Sequence, residues 1–534
     1  PIWTTYDKQT TMANPNVIVY RPGSPMMDRA EAPAPALTEG PYVVRRTETS
    51  LWVIWQTSVK TTGGILIREA GTEAFRTCWM VNDPGEIYGD SLDHWVCVQG
   101  LKPANAYEVR VFRRDRGGQI IHLTETPSVT STLDADEGTR IVNGPYLFNA
   151  DTRAVSVGWR TSVPLGAGVD IRKVGEPGFR TVWQTVGHQI QVDSTVHIVD
   201  IGDLEPGCAY EYRPVAYDPD RSRRVHGEVL HAFRTFSPSR DAYRMLFLSD
   251  QHAHTDLQAA FLRQGEVRKA DFVVYGGDNL WDGFHDEGGR GLFSDFLDCA
   301  VAHHAQEIPA VFVRGNHEWS GRHSNAWMRW LRTRDGRTYY AFRHGGVFYL
   351  VLDSGNCGAG DLFSHAEQVF QDQREWLLTQ VLPSAEFRSA AFRVVLTHMA
   401  THGQSDGPSQ QMMRKYFMDL LNGTEPQTRI HLMLAGHEHR YMRVDPRSRA
   451  CKVFPYNHDG RQSRAVTGEA FNYVLVSNDG PTCGGLDATL VIMDVTPDKL
   501  VLQTLGPDGT RIDAFSIDRD GKVTDEMPVP EYPY

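Results

Sequence analysis

The sequence lacks long apolar runs: none of its hydrophobic segments approaches the roughly 18 residues that would suggest a membrane span. Its 54 Lys and Arg are outnumbered by 66 Asp and Glu, and the resulting net charge of −12 is spread along the chain without acidic blocks. Proteins that bind nucleic-acid scaffolds depend on clustered Lys and Arg. We therefore expect neither a transmembrane segment nor nucleic-acid binding.

Cysteine is scarce as well. The seven cysteines show no C-x-x-C spacing, which disfavours a zinc knuckle or a thioredoxin-like motif. Cys78 and Cys97 lie in one small region rich in β-forming residues, and the sequence leaves open whether they pair. The chain begins at Pro1 without an initiator Met or an apolar signal core. We expect a processed or trimmed form whose targeting segment is not visible.

An internal repeat is the clearest feature of the first 240 residues. Segments recur at an offset of 104 residues, and a series of such matches is very improbable by chance. A chain of 534 residues is also too long for a single hydrophobic core. The matched segments are GPY at 40–42 and 144–146, WQTS and WRTS at 55–58 and 159–162, and FRTCW and FRTVW at 75–79 and 179–183. The sequence therefore predicts two copies of one domain.

Each copy is built of short alternating strands separated by Gly, Pro and Thr turns, a pattern typical of an antiparallel β-sandwich. An L-x-P-x-x-x-Y element in each copy resembles the fibronectin type III signature, in which a tyrosine hydroxyl bonds back to a turn. Tyr107 and Tyr210 would take that role, and we expect Trp55 and Trp159 in the cores. These residues are interpreted as structural.

The pattern of hydrophobicity changes after residue 240. Apolar runs become continuous, which is typical of strands buried on both faces of an α/β domain with helices between them. The predicted fold is two antiparallel β-sandwiches followed by an α/β domain whose β-sheet core is flanked by helices. The expected divisions are a leader at 1–36, sandwiches at 37–136 and 140–237, a catalytic domain at 240–515 and a tail at 516–534.

Five of these apolar strands end in Asp, Asn or His. In open α/β sheets, ligands gather at the carboxyl ends of the strands. One such element is most simply a polar loop, but five in succession predict a functional site. The strand-end residues are Asp250 and His252, then Asp278, then Asn316 and His317, then His398, and finally His437 and His439.

The order D-x-H, G-D, G-N-H-E, a strand-end His and G-H-x-H resembles the calcineurin-like metallophosphoesterase superfamily over residues 240–510. With two sandwiches in front, the chain is most similar to the purple acid phosphatase branch. This resemblance implies two metal sites that share Asp278. The first would be held by Asp250, His252, Asp278 and His439, and the second by Asn316, His398, His437 and Asp278.

The chemistry accounts for these residue types. Two cations roughly 3.5–4 Å apart can hold a phosphoryl group from both sides and acidify a bridging water. A carboxylate can bridge them, while imidazole and amide ligands leave the metals able to attract an anionic ester. The resemblance implies that His317 is not a metal ligand. It would instead protonate the leaving alkoxide or stabilise the transition state. We expect His317, Asn316 and His402 to contact the phosphate.

One position departs from the family. In the purple enzymes the second block continues to a tyrosine that ligates ferric iron, and here Trp281 stands at that position. The resemblance therefore implies a pair of Mn, Zn or Fe ions without the tyrosinate. Trp281 either packs against its loop or forms an aromatic wall for the organic group of a substrate.

The sequence thus predicts a dinuclear-metal hydrolase of soluble phosphate monoesters. A phosphodiesterase, nucleotidase or pyrophosphatase on the same metal core is the alternative. A different class would be an adhesion or glycan-binding protein with an inactive phosphoesterase domain, but such a relic would be expected to have lost ligands, and all seven are present. We expect an extracytoplasmic protein, whether secreted, periplasmic or surface-anchored, and a homodimer formed through the sandwiches.

Overall fold

The computed structural model describes residues 34–527 except for 82–84, 90, 116–117, 134–139, 219–222, 228, 281–289, 358–365, 404–405, 450, 454–465, 467, 479 and 481–487. Most of the expected leader, the end of the expected tail, and Trp281 therefore lie outside the described residues. Two compact units are present, Pro1–Gly138 and Thr139–Tyr534. No described helix is both long enough and apolar enough to cross a membrane.

The first unit is an antiparallel β-sandwich. One sheet has the order β1-β2-β5, and the other has the order β4-β3-β6-β7 with β8 paired to β6. Trp55 is buried between the sheets, and the Tyr107 hydroxyl accepts the Lys102 N–H at 2.8 Å, as the sequence predicts. The strands are β1 Leu37–Arg46, β2 Ser50–Thr61, β3 Gly63–Glu69, β4 Arg76–Trp79, β5 Ser91–Gln99, β6 Ala106–Arg114, β7 Ile120–His122 and β8 Ser128–Ser131.

The second unit begins with the other sandwich. Its long strand β10 pairs with β9 and β14 through its first part and with β11 and β15 through its last part, so one strand serves both sheets. Trp159 is buried, and the Tyr210 hydroxyl accepts the Glu205 N–H at 2.8 Å. The strands are β9 Ile141–Phe148, β10 Val155–Lys173, β11 Arg180–Trp183, β12 Thr185–Val186, β13 Gln189–Ile190, β14 Ser194–Ile201, β15 Ala209–Asp218, β16 Arg223–His226 and β17 His231–Arg234.

Two mixed sheets form the rest of the unit. In the first, β18, β19 and β20 are parallel and β28 to β31 follow as antiparallel strands; in the second, β22, β23, β24 and β27 are parallel. The strands are β18 Tyr243–Leu248, β19 Phe272–Tyr275, β20 Ala310–Phe312, β21 Tyr340–His344, β22 Val347–Val351, β23 Phe392–Leu396, β24 Leu432–Ala435, β25 Met442–Val444, β26 Lys452–Val453, β27 Val474–Ser477, β28 Leu490–Val495, β29 Lys499–Leu505, β30 Arg511–Asp518 and β31 Val523–Asp525.

Helices cover the outer faces of the two sheets. Side chains of both sheets interlock in one apolar core, and separate clusters form beneath the helices on each side. The helices are α1 Thr255–Gln264, α2 Arg290–Leu292, α3 Asp298–Ala300, α4 Asn316–Trp319, α5 Trp327–Trp330, α6 Ala366–Trp376, α7 Ala385–Arg388 and α8 Pro408–Leu421, with single turns of 3₁₀ or π helix at Val267–Lys269, Phe293–Leu297, Val301–Ala305, Ser324–Ala326 and Leu377–Val381. The predicted fold class is therefore confirmed, with two sheets in the α/β domain.

The second sandwich is continuous with the α/β domain. Strand β9 pairs in parallel with β20 through Phe148 and Ala310, and the Tyr146 hydroxyl donates to the Trp330 carbonyl at 2.8 Å. At the other end of the domain, β30 passes through residue 515, so the expected boundary with the tail falls inside a strand of the sheet. Cys78 and Cys97 are both half-buried, and no disulfide joins them in the part of the chain that the structure describes.

Candidate metal centre

The predicted strand-end residues come from both sheets of the α/β domain. Parallel strands bring their carboxyl ends to one edge of a sheet, and here the two sheets pack face to face, so the loops from both meet. Loops after β18, β19 and β20 supply candidate ligands from the first sheet, and loops after β23 and β24 supply them from the second. In chain order these residues are Asp250, His252, Asp278, Asn316, His398, His437 and His439.

Five of the seven candidate ligands have a positive backbone φ angle. Non-glycine residues avoid positive φ because the Cβ then approaches the carbonyl oxygen, and such strain persists only where the surroundings fix it. The five candidates in this region are Asp250 (φ 55°), His252 (43°), Asp278 (51°), His437 (73°) and His439 (47°). The fold therefore turns these side chains inward at a cost in backbone strain, which is typical of a functional site.

Asp250, His252 and His439 form one group whose ligand atoms all lie within 4.8 Å of one another. The Nε2 atoms of His252 and His439 are 3.1 Å apart, and Nε2 of His439 is 3.6 Å from Oδ1 of Asp250. Burial lowers the pKa of His252 to about 4, so this imidazole is neutral near pH 7. A neutral imidazole offers a nitrogen lone pair, which is the form that binds a metal ion.

Asp278, His398 and His437 form a second group, and Asn316 completes it. Oδ1 of Asn316 lies 3.0 Å from Nε2 of His398 and 3.0 Å from Nδ1 of His437, and Nε2 of His398 is 3.1 Å from Oδ2 of Asp278. On its other side, Nδ1 of His398 donates to the Gly276 carbonyl at 2.9 Å. Such a hydrogen bond fixes the ring and leaves Nε2 facing the centre.

The electrostatics of the second group favour a bound cation. Burial alone would lower the pKa of His398, but the carboxylates of Asp278, Asp250 and Glu318 outweigh it and raise that pKa to about 10. Burial lowers the pKa of His437 to about 3. Burial would raise the pKa of Asp278, but His398 and His317 lower it overall. The carboxylates therefore stabilise positive charge beside His398, and the imidazole, carboxylate and amide donors of the group suit divalent transition metals.

Asp250 ties the two sheets together at the centre. Ser249 Oγ donates to its Oδ2 at 2.6 Å, and the backbone N–H of His437 donates to both of its carboxylate oxygens at 3.0 Å. A side chain that follows β18 thus positions the loop that follows β24. This contact fixes His437 and its neighbour His439 relative to the first sheet.

Glu318 has a comparable role that the sequence reading did not identify. Its buried carboxylate accepts the backbone N–H groups of Asp278 at 2.9 Å, Asn279 at 2.8 Å and Gly315 at 2.9 Å. It thereby joins the loops after β19 and β20 and supports the left-handed conformation of Asp278. The sequence feature that could have indicated this role is the position of Glu318 in the G-N-H-E block, directly after Asn316 and His317.

His317 lies at the more open side of the centre. Its side chain is 33% exposed, whereas those of His398 and Asp250 are fully buried. Its Nε2 is 3.8 Å from Oδ2 of Asp278, and its ring meets that of His252 edge-on, with the centroids 4.6 Å apart. With His252 and Asp278 it forms a third cluster of ligand atoms, so the geometry brings His317 to the centre but leaves its role open.

His402 is the one predicted site residue whose described contacts lie elsewhere. Its Nδ1 is 2.9 Å from Thr401 Oγ1, and its ring packs against Phe471 with a centroid distance of 4.5 Å. Burial lowers the pKa of His402 to about 4. These contacts are those of a packed histidine, and a contact of His402 with phosphate stays a prediction.

Known proteins resemble the α/β domain in sequence and the chain in fold. Residues 243–441 match the family model of calcineurin-like phosphoesterases, and a search of curated proteins gave no match. The purple acid phosphatase PPD1 from seeds of yellow lupin (Lupinus luteus) is similar in structure at 13% identity, with a TM-score of 0.51 and coverage of 91% of this chain and 97% of that one. PhoD is 13% identical, with a TM-score of 0.47 over 72% of this chain and 92% of its own. The chain therefore contains a calcineurin-like phosphoesterase domain, and its fold resembles that of the lupin enzyme.

Proposed function

We propose that the protein hydrolyses phosphate monoesters at a dinuclear metal centre. The observation that carries the proposal is the pair of donor groups around Asp278: one contains Asp250, His252 and His439, and the other contains His398 and His437. Asp278 also clusters with His252, so its carboxylate is within reach of both groups and can bridge two ions.

Each side chain then has a defined task. When bound, the two ions would acidify a water molecule and neutralise charge on the phosphoryl group. Asn316 would contribute its amide oxygen to the second site, and its amide NH₂ would be a hydrogen-bond donor for the phosphate. His317, on the exposed side of the centre, donates a proton from its ring to the oxygen of the leaving group. Asp250 and Glu318 hold the loops that carry these side chains in position.

The activity is tested with purified full-length protein that has been stripped by a chelator and reloaded separately with Mn, Zn or Fe. A panel of phosphomonoesters, phosphodiesters, nucleotides and pyrophosphate is then assayed. The proposal expects turnover that depends on added metal and is fastest on monoesters. Faster turnover of diesters or nucleotides would favour the alternative activity on the same core. No turnover on any substrate with metal bound would contradict the proposal.

The identity of the metals has its own test. Trp281 cannot provide a phenolate ligand, so we propose an Mn, Zn or Fe pair without the ferric tyrosinate of the purple enzymes. The loaded protein should then lack an intense violet absorption band, and such a band would mean that another tyrosine reaches the metal. We also propose an extracytoplasmic location and a homodimer that forms through the sandwiches. Neither is required for the chemistry at the metal centre.

A further inference from the structure

One face of the first sandwich carries aromatic side chains toward solvent. We call it the aromatic face and define it by Tyr42, Trp52, Ile54 and Trp95 on the outer side of the sheet β1-β2-β5. Tyr42 pairs with Ile54, and Ile54 pairs with Trp95, so these three side chains form one row across the sheet. Tyr42 is 52% exposed and Trp95 40% exposed, while Trp52 and Ile54 are half-buried.

The two indoles of the aromatic face are nearly parallel. The rings of Trp52 and Trp95 have centroids 6.1 Å apart and planes inclined by 18°. Polar groups border them: Gln56 and Asp93 pair across the same two strands, and Gln56 Nε2 donates to Asp93 Oδ1 at 2.6 Å. The face thus combines adjacent, similarly oriented aromatic rings with exposed hydrogen-bonding groups.

The second sandwich uses the corresponding face differently. At the repeat offset, Tyr146 replaces Tyr42 and Gly158 replaces Ile54. The ring of Tyr146 lies so close to Gly158 that a Cβ there would overlap it, and Tyr146 is fully buried with its hydroxyl bonded to the Trp330 carbonyl. In the first copy Ile54 occupies the space that Gly158 leaves open. The aromatic face is therefore not a second copy of that docking surface.

The size of the face points to a small ligand. Three strands about 4.8 Å apart, with about five outward residues on each, give an area on the order of 500 Å² for the whole outer side of the sheet. A stable protein–protein interface needs about 800 Å² on each partner. A second copy of the chain would bury too little area here for stable association. A ligand that needs only two or three side chains fits the face better.

We infer that the aromatic face binds a polysaccharide chain through pyranose rings stacked on Trp52 and Trp95. The C–H groups on a sugar face are polarised and are attracted to the negative face of an indole ring. The equatorial hydroxyls at the edge of the sugar then hydrogen-bond to groups such as those of Gln56 and Asp93. The sandwich would hold the phosphoesterase domain on a glycan surface, a role separate from the chemistry at the metal centre.

The test uses the full-length protein with insoluble cellulose, chitin, xylan and β-1,3-glucan in sedimentation assays, together with the soluble hexasaccharides of the same sugars in tryptophan-fluorescence titrations. We expect retention on at least one polysaccharide and a fluorescence change with its hexasaccharide. Trp52→Ala/Trp95→Ala should weaken binding at least about ten-fold, since each aromatic contact is lost. Trp52→Phe/Trp95→Phe should retain part of the affinity, and turnover of phosphate esters should stay unchanged in both.

Tyr88→Ala is the matched control, because Tyr88 is an aromatic residue of the same sandwich that is 45% exposed outside the aromatic face. It should bind like the unaltered protein. The inference is overturned if no polysaccharide is retained, if the double alanine variant binds as well as the unaltered protein, or if Tyr88→Ala loses as much affinity. A dimer that the double alanine variant dissolves would show instead that the face joins two copies.

Discussion

The sandwiches and the phosphoesterase domain both contain non-glycine residues with positive φ, but they use them differently. In the sandwiches these residues lie in the connections between consecutive strands, and they include Ala104, Asn149, His188 and Asp203. In the phosphoesterase domain five of them are candidate metal ligands. The same backbone conformation closes turns in one region and aims donor atoms at one point in the other.

The difference follows from strand direction. Antiparallel strands alternate, so consecutive strand ends lie at opposite edges of a sheet. The parallel strands β18, β19 and β20 place their carboxyl ends at one edge, as do β23 and β24 in the facing sheet. Polar residues after parallel strands therefore accumulate in one place, whereas the described strands of the sandwiches pair antiparallel with one another and form no equivalent edge.

The comparison is tested most strongly with one histidine from each region. We expect His317→Ala to retain both metals and lose turnover of alkyl phosphates about 10²–10⁴-fold, with a smaller loss for nitrophenyl phosphate, whose leaving group departs without a proton. His197→Ala is the matched variant, because His197 is buried in the second sandwich, where its Nε2 lies 2.7 Å from Thr161 Oγ1. It should lower thermal stability and leave kcat unchanged.

Two outcomes of that kinetic experiment would change the assignment of His317. An equal loss for both kinds of leaving group would mean that His317 stabilises phosphoryl charge without donating a proton. Loss of metal from His317→Ala would make it a ligand, as its clustering with His252 and Asp278 allows.

A second pair of variants compares the sandwiches with each other. Tyr146→Ala should destabilise the protein by about 3–5 kcal/mol, because a fully buried aromatic side chain leaves a cavity. Tyr42→Ala, at the equivalent exposed position, should change the free energy of unfolding by less than about 0.5 kcal/mol. Denaturant unfolding of the full-length variants measures both. Equal losses would contradict the different use of the two faces.

Glu318 and Asp170 are buried carboxylates from the two regions. Glu318→Gln should weaken metal binding about 10–100-fold, because the side chain that holds the loops of Asp278 and Asn316 is altered. Asp170 pairs with Arg213 and Arg224 in the second sandwich, so Asp170→Asn should leave metal affinity unchanged. Chelator competition measures both variants, and similar losses of metal affinity would show that Glu318 acts only through stability.

The smallest effect concerns the repeated tyrosine. Tyr107→Phe and Tyr210→Phe each remove one hydrogen bond to a backbone N–H at 2.8 Å. Each should cost about 0.5–1.5 kcal/mol, and the two costs should be equal within error. A cost at only one position, measured by the same unfolding experiment, would mean that the two corners are not equivalent.

Much of this architecture could be predicted from the sequence because its signals are local. The offset of 104 residues marks the repeated sandwiches, and Asp250 or His398 follows directly on an apolar run that becomes a buried strand. A residue at a strand end needs no knowledge of distant partners to be identified. Tyr107 and Tyr210 were predictable for the same reason, since turn and tyrosine are five residues apart.

The remaining features depend on contacts between distant segments. Continuous apolar runs indicate buried strands, but they do not tell how many sheets the strands form or that β9 joins β20. Glu318 acts on backbone groups 39 and 40 residues away, which no spacing pattern encodes. The contrast between Tyr42 and Tyr146 depends on whether Ile54 or Gly158 lies beneath the ring.

The most direct test of the central claim is the metal content of Asp278→Ala beside that of the unaltered protein. After loading with Mn or Zn and removal of excess metal, the unaltered full-length chain should hold two ions. Asp278→Ala should hold at most one and show no turnover, because its carboxylate clusters with ligands of both groups. If Asp278→Ala keeps both ions and its turnover, the proposal that Asp278 bridges a dinuclear centre is wrong.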